Sequence, residues 1–139
     1  MIEKVHQHIV NELQQSSKTD TVFVITAVLF NLLVLAINSA VAGNAVSDKA
    51  RASDDVILII FILVAILVNV AVSKALGTGK RTRLKLLDGL VAMYKDNNVD
   101  KYYEASLLTN YGKRYLLFNV VILCLTFTSI AVPLIIRFI

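Results

Sequence analysis

This 139-residue chain contains one cysteine and one proline, and three long stretches of it contain no charged residue at all. With Cys124 as the single thiol, an intrachain disulfide is excluded; its position inside an apolar stretch leaves packing or lipid contact as its role. The lone proline, Pro133, falls near the end of the last stretch, where a missing backbone donor is tolerated more easily than at a helix centre. The uncharged stretches exclude more. Thr21 to Gly43, Val56 to Ser73 and Tyr115 to Ile136 hold no Asp, Glu, His, Lys or Arg, which disfavours a transporter coupled to protons or cations.

What remains is apolar and arranged in blocks. The chain is 57% hydrophobic yet carries 14 Lys and Arg against 10 Asp and Glu, so charged and apolar residues are segregated. A soluble domain would interleave them at helix or strand period to make one buried face. A bilayer core of about 30 Å takes roughly 20 helical residues, and the shorter second stretch reaches that length if Lys74 snorkels at its end. The expectation is an all-α polytopic membrane protein with three transmembrane helices and amphipathic cytoplasmic helices. Ala40-Val41-Ala42 resembles a signal-peptide cleavage site, but Glu3, Glu12 and Asp20 before the apolar run, and the length of that run, favour a retained helix.

Four segments follow. In residues 1–20, Ile2, Val5, Ile9 and Leu13 recur at helical spacing among polar residues, giving an amphipathic helix, with Ser16, Ser17 and Asp20 as caps for the span after it. Residues 21–76 form a transmembrane hairpin, because only the short polar link Asn44 to Asp55 joins two spans; Ser53 or Asp54 is placed to cap the second. Residues 77–114 are a basic helical segment. It is loosened at Gly77-Thr78-Gly79, carries Leu84, Leu87, Val91 and Tyr94 on one face, and breaks at Asp96-Asn97-Asn98. Val99, Tyr102, Tyr103, Leu107 and Tyr111 then lead to the third span, 115–139, through Gly112, which allows either a hinge or a continuous helix.

Nine basic residues lie between Lys74 and Arg114, two in the link and two in the first 20 residues. The positive-inside rule therefore places residues 77–114 and the N-terminus in the cytoplasm, with the C-terminus outside. Lys80, Arg81, Arg83 and Lys85 are candidates for contact with anionic lipid headgroups or a small anionic ligand. Nucleic acid is disfavoured as a partner, since no aromatic-basic interleaving accompanies the charge. The tyrosines cluster in this segment and at its membrane boundary, where phenolic rings anchor at headgroup level.

Asparagine occurs in every span: Asn31, Asn38, Asn69 and Asn119. Asn31 and Asn38 share a helix face seven residues apart, and Asn119, Thr126 and Pro133 repeat that interval. These polar groups either hydrogen-bond between helices or line a hydrated path between protomers; interhelical bonding is the favoured reading. Motifs for chemistry fail on inspection. Asp96, Asn98 and Asp100 open like a calcium loop, but Lys101 and Leu107 stand where Gly and Glu are required. His6 and His8 point apart on a helix, and Gly77, Gly79, Lys80 and Thr82 lack the spacing of a phosphate loop. No nucleophile, base and orienter set is visible, so no enzyme, metal or cofactor is expected.

The order of amphipathic helix, two-span hairpin, basic helical segment and final span entered through Tyr111-Gly112-Lys113-Arg114-Tyr115 resembles small membrane effectors of bacterial nucleotide-signalled antiphage systems, the Pycsar transmembrane and SLATT-like groups. The resemblance implies residence in a bacterial inner membrane and membrane permeabilisation. Two roles are expected on these grounds. One is a homo-oligomeric, pore-like effector with cytoplasmic sensing helices; the alternative is a non-conducting accessory or scaffold subunit that binds a membrane or cytoplasmic protein.

Overall fold

A computed structural model describes residues 2–47, 51–102 and 106–139, the last stretch with side chains from 109 onward. Asp48 and Lys49 of the link, Tyr103, and the Leu107 side chain lie outside the described residues. Among those described, three long α-helices account for nearly everything: α1 (Ile2–Val46), α2 (Ala52–Asp96) and α3 (Ser106–Phe138), with one 3-10 turn at Asp100–Tyr102. All three are long and apolar enough to cross a membrane, and the chain is an all-α, multi-pass membrane protein by that measure.

The expected helix start capped at residues 16–20 and the expected loosening at 77–79 are absent. α1 and α2 each run 45 residues without interruption, about 67 Å at 1.5 Å per residue, against a hydrocarbon core of about 30 Å. The flanking segments are therefore continuations of the spans and project along the same axes. Asp20 is not a cap but an interior helical residue, and the α2 N-cap is Arg51, whose backbone N–H donates to the Asp54 carboxylate at 3.0 Å. The helix starts two to three residues earlier than expected, which makes Asp54 the residue that reaches back. The break after Asp96 is as expected: the Asn97 N–H and side-chain amide both donate to the Met93 carbonyl (3.2 and 2.8 Å), and Asn98 takes a left-handed φ of 56°. α3 passes through Gly112 without interruption.

Packing follows a seven-residue rhythm, carried on α1 mainly by small and polar side chains. On α1 the inward positions are Asp20, Ala27, Asn31, Val34, Asn38, Ala42 and Ala45. On α2 they are Leu58, Ala65, Asn69, Val72, Leu76, Arg83, Leu87 and Leu90, and on α3 Tyr115, Ile122, Ser129 and Pro133. Steps of three, four and seven approximate the 3.5-residue repeat that keeps one seam facing its partners. Val22, Ile25, Leu29, Leu63, Leu67 and Leu123 point outward, as expected where lipid is as apolar as leucine and close backbone approach drives association. α1 pairs with an antiparallel α2 along its whole length, from His6 against Tyr94 (3.1 Å) through Ser16 against Arg83 to Asn31 against Asn69. α3 runs parallel to α1, with Tyr115 beside Asp20 and Ser129 beside Asn31.

Candidate functional site

Three polar levels are strung along this seam. The first joins all three helices. Asp20 and Arg83, 4% and 3% exposed, form an ion pair at 3.2 Å, and the Tyr115 hydroxyl donates to the same carboxylate. Arg83 is further held between the rings of Tyr111 and Tyr115, 5.4 and 5.6 Å from their centroids, with the Ser16 hydroxyl 3.4 Å away. A guanidinium suits this place because it stacks on rings while its fork meets a carboxylate. Gly79 makes the approach feasible: a Cβ there would lie 2.5 Å from Asp20 Oδ1.

The middle level is an amide pair. Asn31 Nδ2 donates to Asn69 Oδ1 at 2.8 Å and Asn69 Nδ2 returns the bond to Asn31 Oδ1 at 3.0 Å. The remaining amide hydrogens go to the carbonyls of Ala27 (2.8 Å) and Ala65 (2.7 Å), and the Ser129 hydroxyl lies 3.4 Å from Asn31 Oδ1. Both amides are satisfied within the chain, so Asn31 and Asn69 join α1 to α2. Asn31→Leu is expected to destabilise the bundle by about 1 kcal/mol, and Asn31→Leu/Asn69→Leu by less than the two single changes added together. SDS-titrated unfolding followed by helix circular dichroism measures this; strictly additive effects would show that the pair is not coupled.

Asn38 differs. It is 0% exposed, and neither its Nδ2 nor its Oδ1 has a hydrogen-bond partner among the described residues. Asn119 and Thr126 are half-buried and bond to the backbone of their own helix, at the Tyr115 carbonyl (2.9 Å) and the Ile122 carbonyl (2.7 Å). The centre of the α3 seam is Tyr115, Ile122 and Ser129 instead.

At the far end, Arg137 closes the bundle. Its Nε and Nη2 donate to the two oxygens of Asp55 at 2.8 and 3.0 Å, and Nη1 donates to the Ala45 carbonyl at 3.1 Å. These hydrogen bonds hold the Asp55 carboxyl below its ordinary pKa, against a smaller opposing effect of desolvation. A depressed carboxylate contributes stability above its unfolded pKa and loses it as the pH falls through the folded value. Acid titration below about pH 4 is therefore expected to release this clamp, and Asp55→Asn to flatten that part of the stability profile. An unchanged acid limb in the variant would count against the clamp.

The basic group expected to meet anions divides. Arg81 and Lys85 are exposed and Lys80 half-exposed, but Arg83 is buried in the Asp20 pair and is not a headgroup contact. Its place was hidden because its partner lies on another helix, and Asp20 looks like a cap when only its neighbours are considered. The signal was the spacing Asp20, Ala27, Asn31, which puts the aspartate on the asparagine face. Among the described residues no group of three or more acidic, histidine or cysteine side chains could hold a metal. Neither family models, curated proteins nor solved structures match this chain.

Proposed function

We propose that this protein is a membrane effector: a three-helix protomer whose cytoplasmic helical stalk receives a signal and whose spans act in the bilayer as a homo-oligomer. The observation that carries this reading is Asn38, fully buried in the half of the bundle nearer Ala45 and Arg137, with both amide atoms unpartnered among the described residues. A buried polar group without a partner disfavours its state by about 1–3 kcal/mol. Any rearrangement that brings the amide to water or to a second amide recovers that energy, so the closed bundle is biased toward opening. The continuous seam supports the link to the stalk, because a shift of α1 against α2 at His6 and Tyr94 is carried by the same helices to Asn31 and Asn38. Three helices packed around side chains leave no path inside one protomer, so conduction requires an oligomer axis.

Reconstitution tests this. Purified protein should run as an oligomer in mild detergent and release a small dye or ions from liposomes. Asn38→Leu should make the bundle more resistant to SDS and reduce the flux. A monomer without flux would overturn the reading. The second reading, a non-conducting accessory subunit, is favoured by a different observation: Asn31, Asn69 and Ser129 are used inside the protomer while its lipid-facing side chains are large and apolar. It predicts a stoichiometric partner that co-purifies and is lost when Leu84 and Val91, half-exposed on the stalk, are made polar.

A further inference from the structure

α1 packs closely against both other helices, but α2 and α3 leave a groove between them of about 520 Å³. Its walls are Ile66, Val70 and Leu123, with Asn69, Ser73 and Thr126 spaced along it and Lys74 among its lining residues. That volume falls within the range of small-molecule sites, and the lining is mostly apolar with a few polar groups, as such sites are.

The charge in this groove has no counterpart among the described residues. Gly79, Asp20 and Tyr115 share one level, which is where α1 and α3 enter their apolar runs. Lys74 lies five residues farther into the membrane along α2, roughly 7 to 8 Å at helical rise. The opposite wall cannot neutralise it, because the chain has no Asp or Glu anywhere after Glu104. Asp20 is engaged by Arg83 and Tyr115, and Lys74 makes no ion pair among the described residues. The neighbouring charges on these two helices, Lys80, Lys113 and Arg114, are positive as well. A lysine at acyl-chain depth facing a groove of acyl-chain character calls for an anion that brings its own apolar tail.

We propose that the α2–α3 groove is a binding site for one anionic phospholipid, its acyl chain lying along Ile66, Val70 and Leu123 and its phosphate drawn down to the Lys74 ammonium. This site is separate from the exposed cations Arg81 and Lys85 of the stalk, and it stands whether or not the oligomer conducts. The lipid would fill the opening on the side where the bundle is least tightly packed.

Native mass spectrometry of the purified protein, titrated with phosphatidylglycerol and phosphatidylcholine of identical chains, tests the site. The wild-type protein should retain one phosphatidylglycerol in preference to phosphatidylcholine. Lys74→Gln should reduce that preference about five-fold, the weight of one lysine near a membrane surface, whereas Lys85→Gln should leave the first bound lipid unchanged. Thr126→Phe, which fills the groove, should reduce retention of both lipids; Leu123→Trp serves the same purpose if the first variant does not fold. Inorganic phosphate should not displace the lipid. An unchanged preference in Lys74→Gln would overturn the proposal. So would competition by inorganic phosphate, or a lipid-free dimer that Thr126→Phe separates, since the groove would then hold a second copy of the chain.

Discussion

Replacing Arg83 with methionine is expected to destabilise the bundle by about 3–5 kcal/mol, the largest effect of any single change outside the apolar packing. The substitution strands the Asp20 carboxylate, which is 4% exposed, with only the Tyr115 hydroxyl to stabilise its charge. It also removes the guanidinium from between Tyr111 and Tyr115 and from reach of Ser16. Arg83→Lys should recover only part of the loss, because an ammonium lacks the planar fork that stacks and bonds at once. Asp20→Leu/Arg83→Met should be far less damaging than either single change, since a buried pair replaced by apolar groups loses both desolvation penalties with its attraction. SDS unfolding of the four proteins closes the cycle. If Arg83→Met alone lost less than about 1 kcal/mol, the carboxylate would be reaching water and the cluster would not be a buried joint.

In the effector proposed above, the position of this joint would give it a role beyond stability. It lies where α1 and α3 enter their apolar runs, and it is the level at which one side chain from each helix meets the same charge. The stalk is built from α1 and α2, with His6 near Tyr94 toward its end. A displacement of the stalk that separated Asp20 from Arg83 would leave two charges buried without each other. The bundle should therefore resist small displacements and yield to large ones, which is the behaviour a two-state element requires.

Legibility from sequence varied along the chain. The three spans were legible because a run of some 20 residues without charge matches the thickness of a bilayer and is seldom found in a soluble helix. The turn at Asp96-Asn97-Asn98 was legible because asparagine tolerates the left-handed backbone that Asn98 adopts. The helix boundaries at residues 16–20 and 77–79 were not. Ser16, Ser17 and Asp20 favour caps wherever a helix begins, but here the apolar faces before and after them align on one seam, and packing against α2 outweighs the local preference. Glycine at 77 and 79 suggests a loosened chain in isolation, whereas Gly79 is where α1 brings a carboxylate against the backbone of α2. Asn31 and Asn69 could be recognised as polar groups needing partners, but their mutual pairing depends on the antiparallel register. Asn31, satisfied by its pairing with Asn69, and the unsatisfied Asn38 are seven residues apart on α1, and nothing in that spacing distinguishes them.

The glycines offer a sharper comparison, because the same substitution is expected to have opposite signs at two places in one helix. Gly89→Ala should stabilise α2 by up to about 1 kcal/mol, since alanine is the better helix former and a Cβ at Gly89 meets nothing within 4 Å. Gly79→Ala gains the same propensity, but its Cβ would lie 2.5 Å from Asp20 Oδ1. A carboxylate at the end of a free side chain would swing aside; this one is held by Arg83 and Tyr115 and has little room to do so. Overpacking of this kind typically costs about 1–3 kcal/mol, so the net effect at Gly79 should be destabilising. Asp20→Ala should abolish the difference: in that background the steric conflict is gone, and Gly79→Ala should behave like Gly89→Ala. Thermal or SDS unfolding of the two alanine variants, each with and without Asp20, supplies the measurement. Equal effects at both glycines in the otherwise native chain would mean that α1 and α2 do not come this close at Asp20, and the three-helix joint would have to be abandoned with that contact.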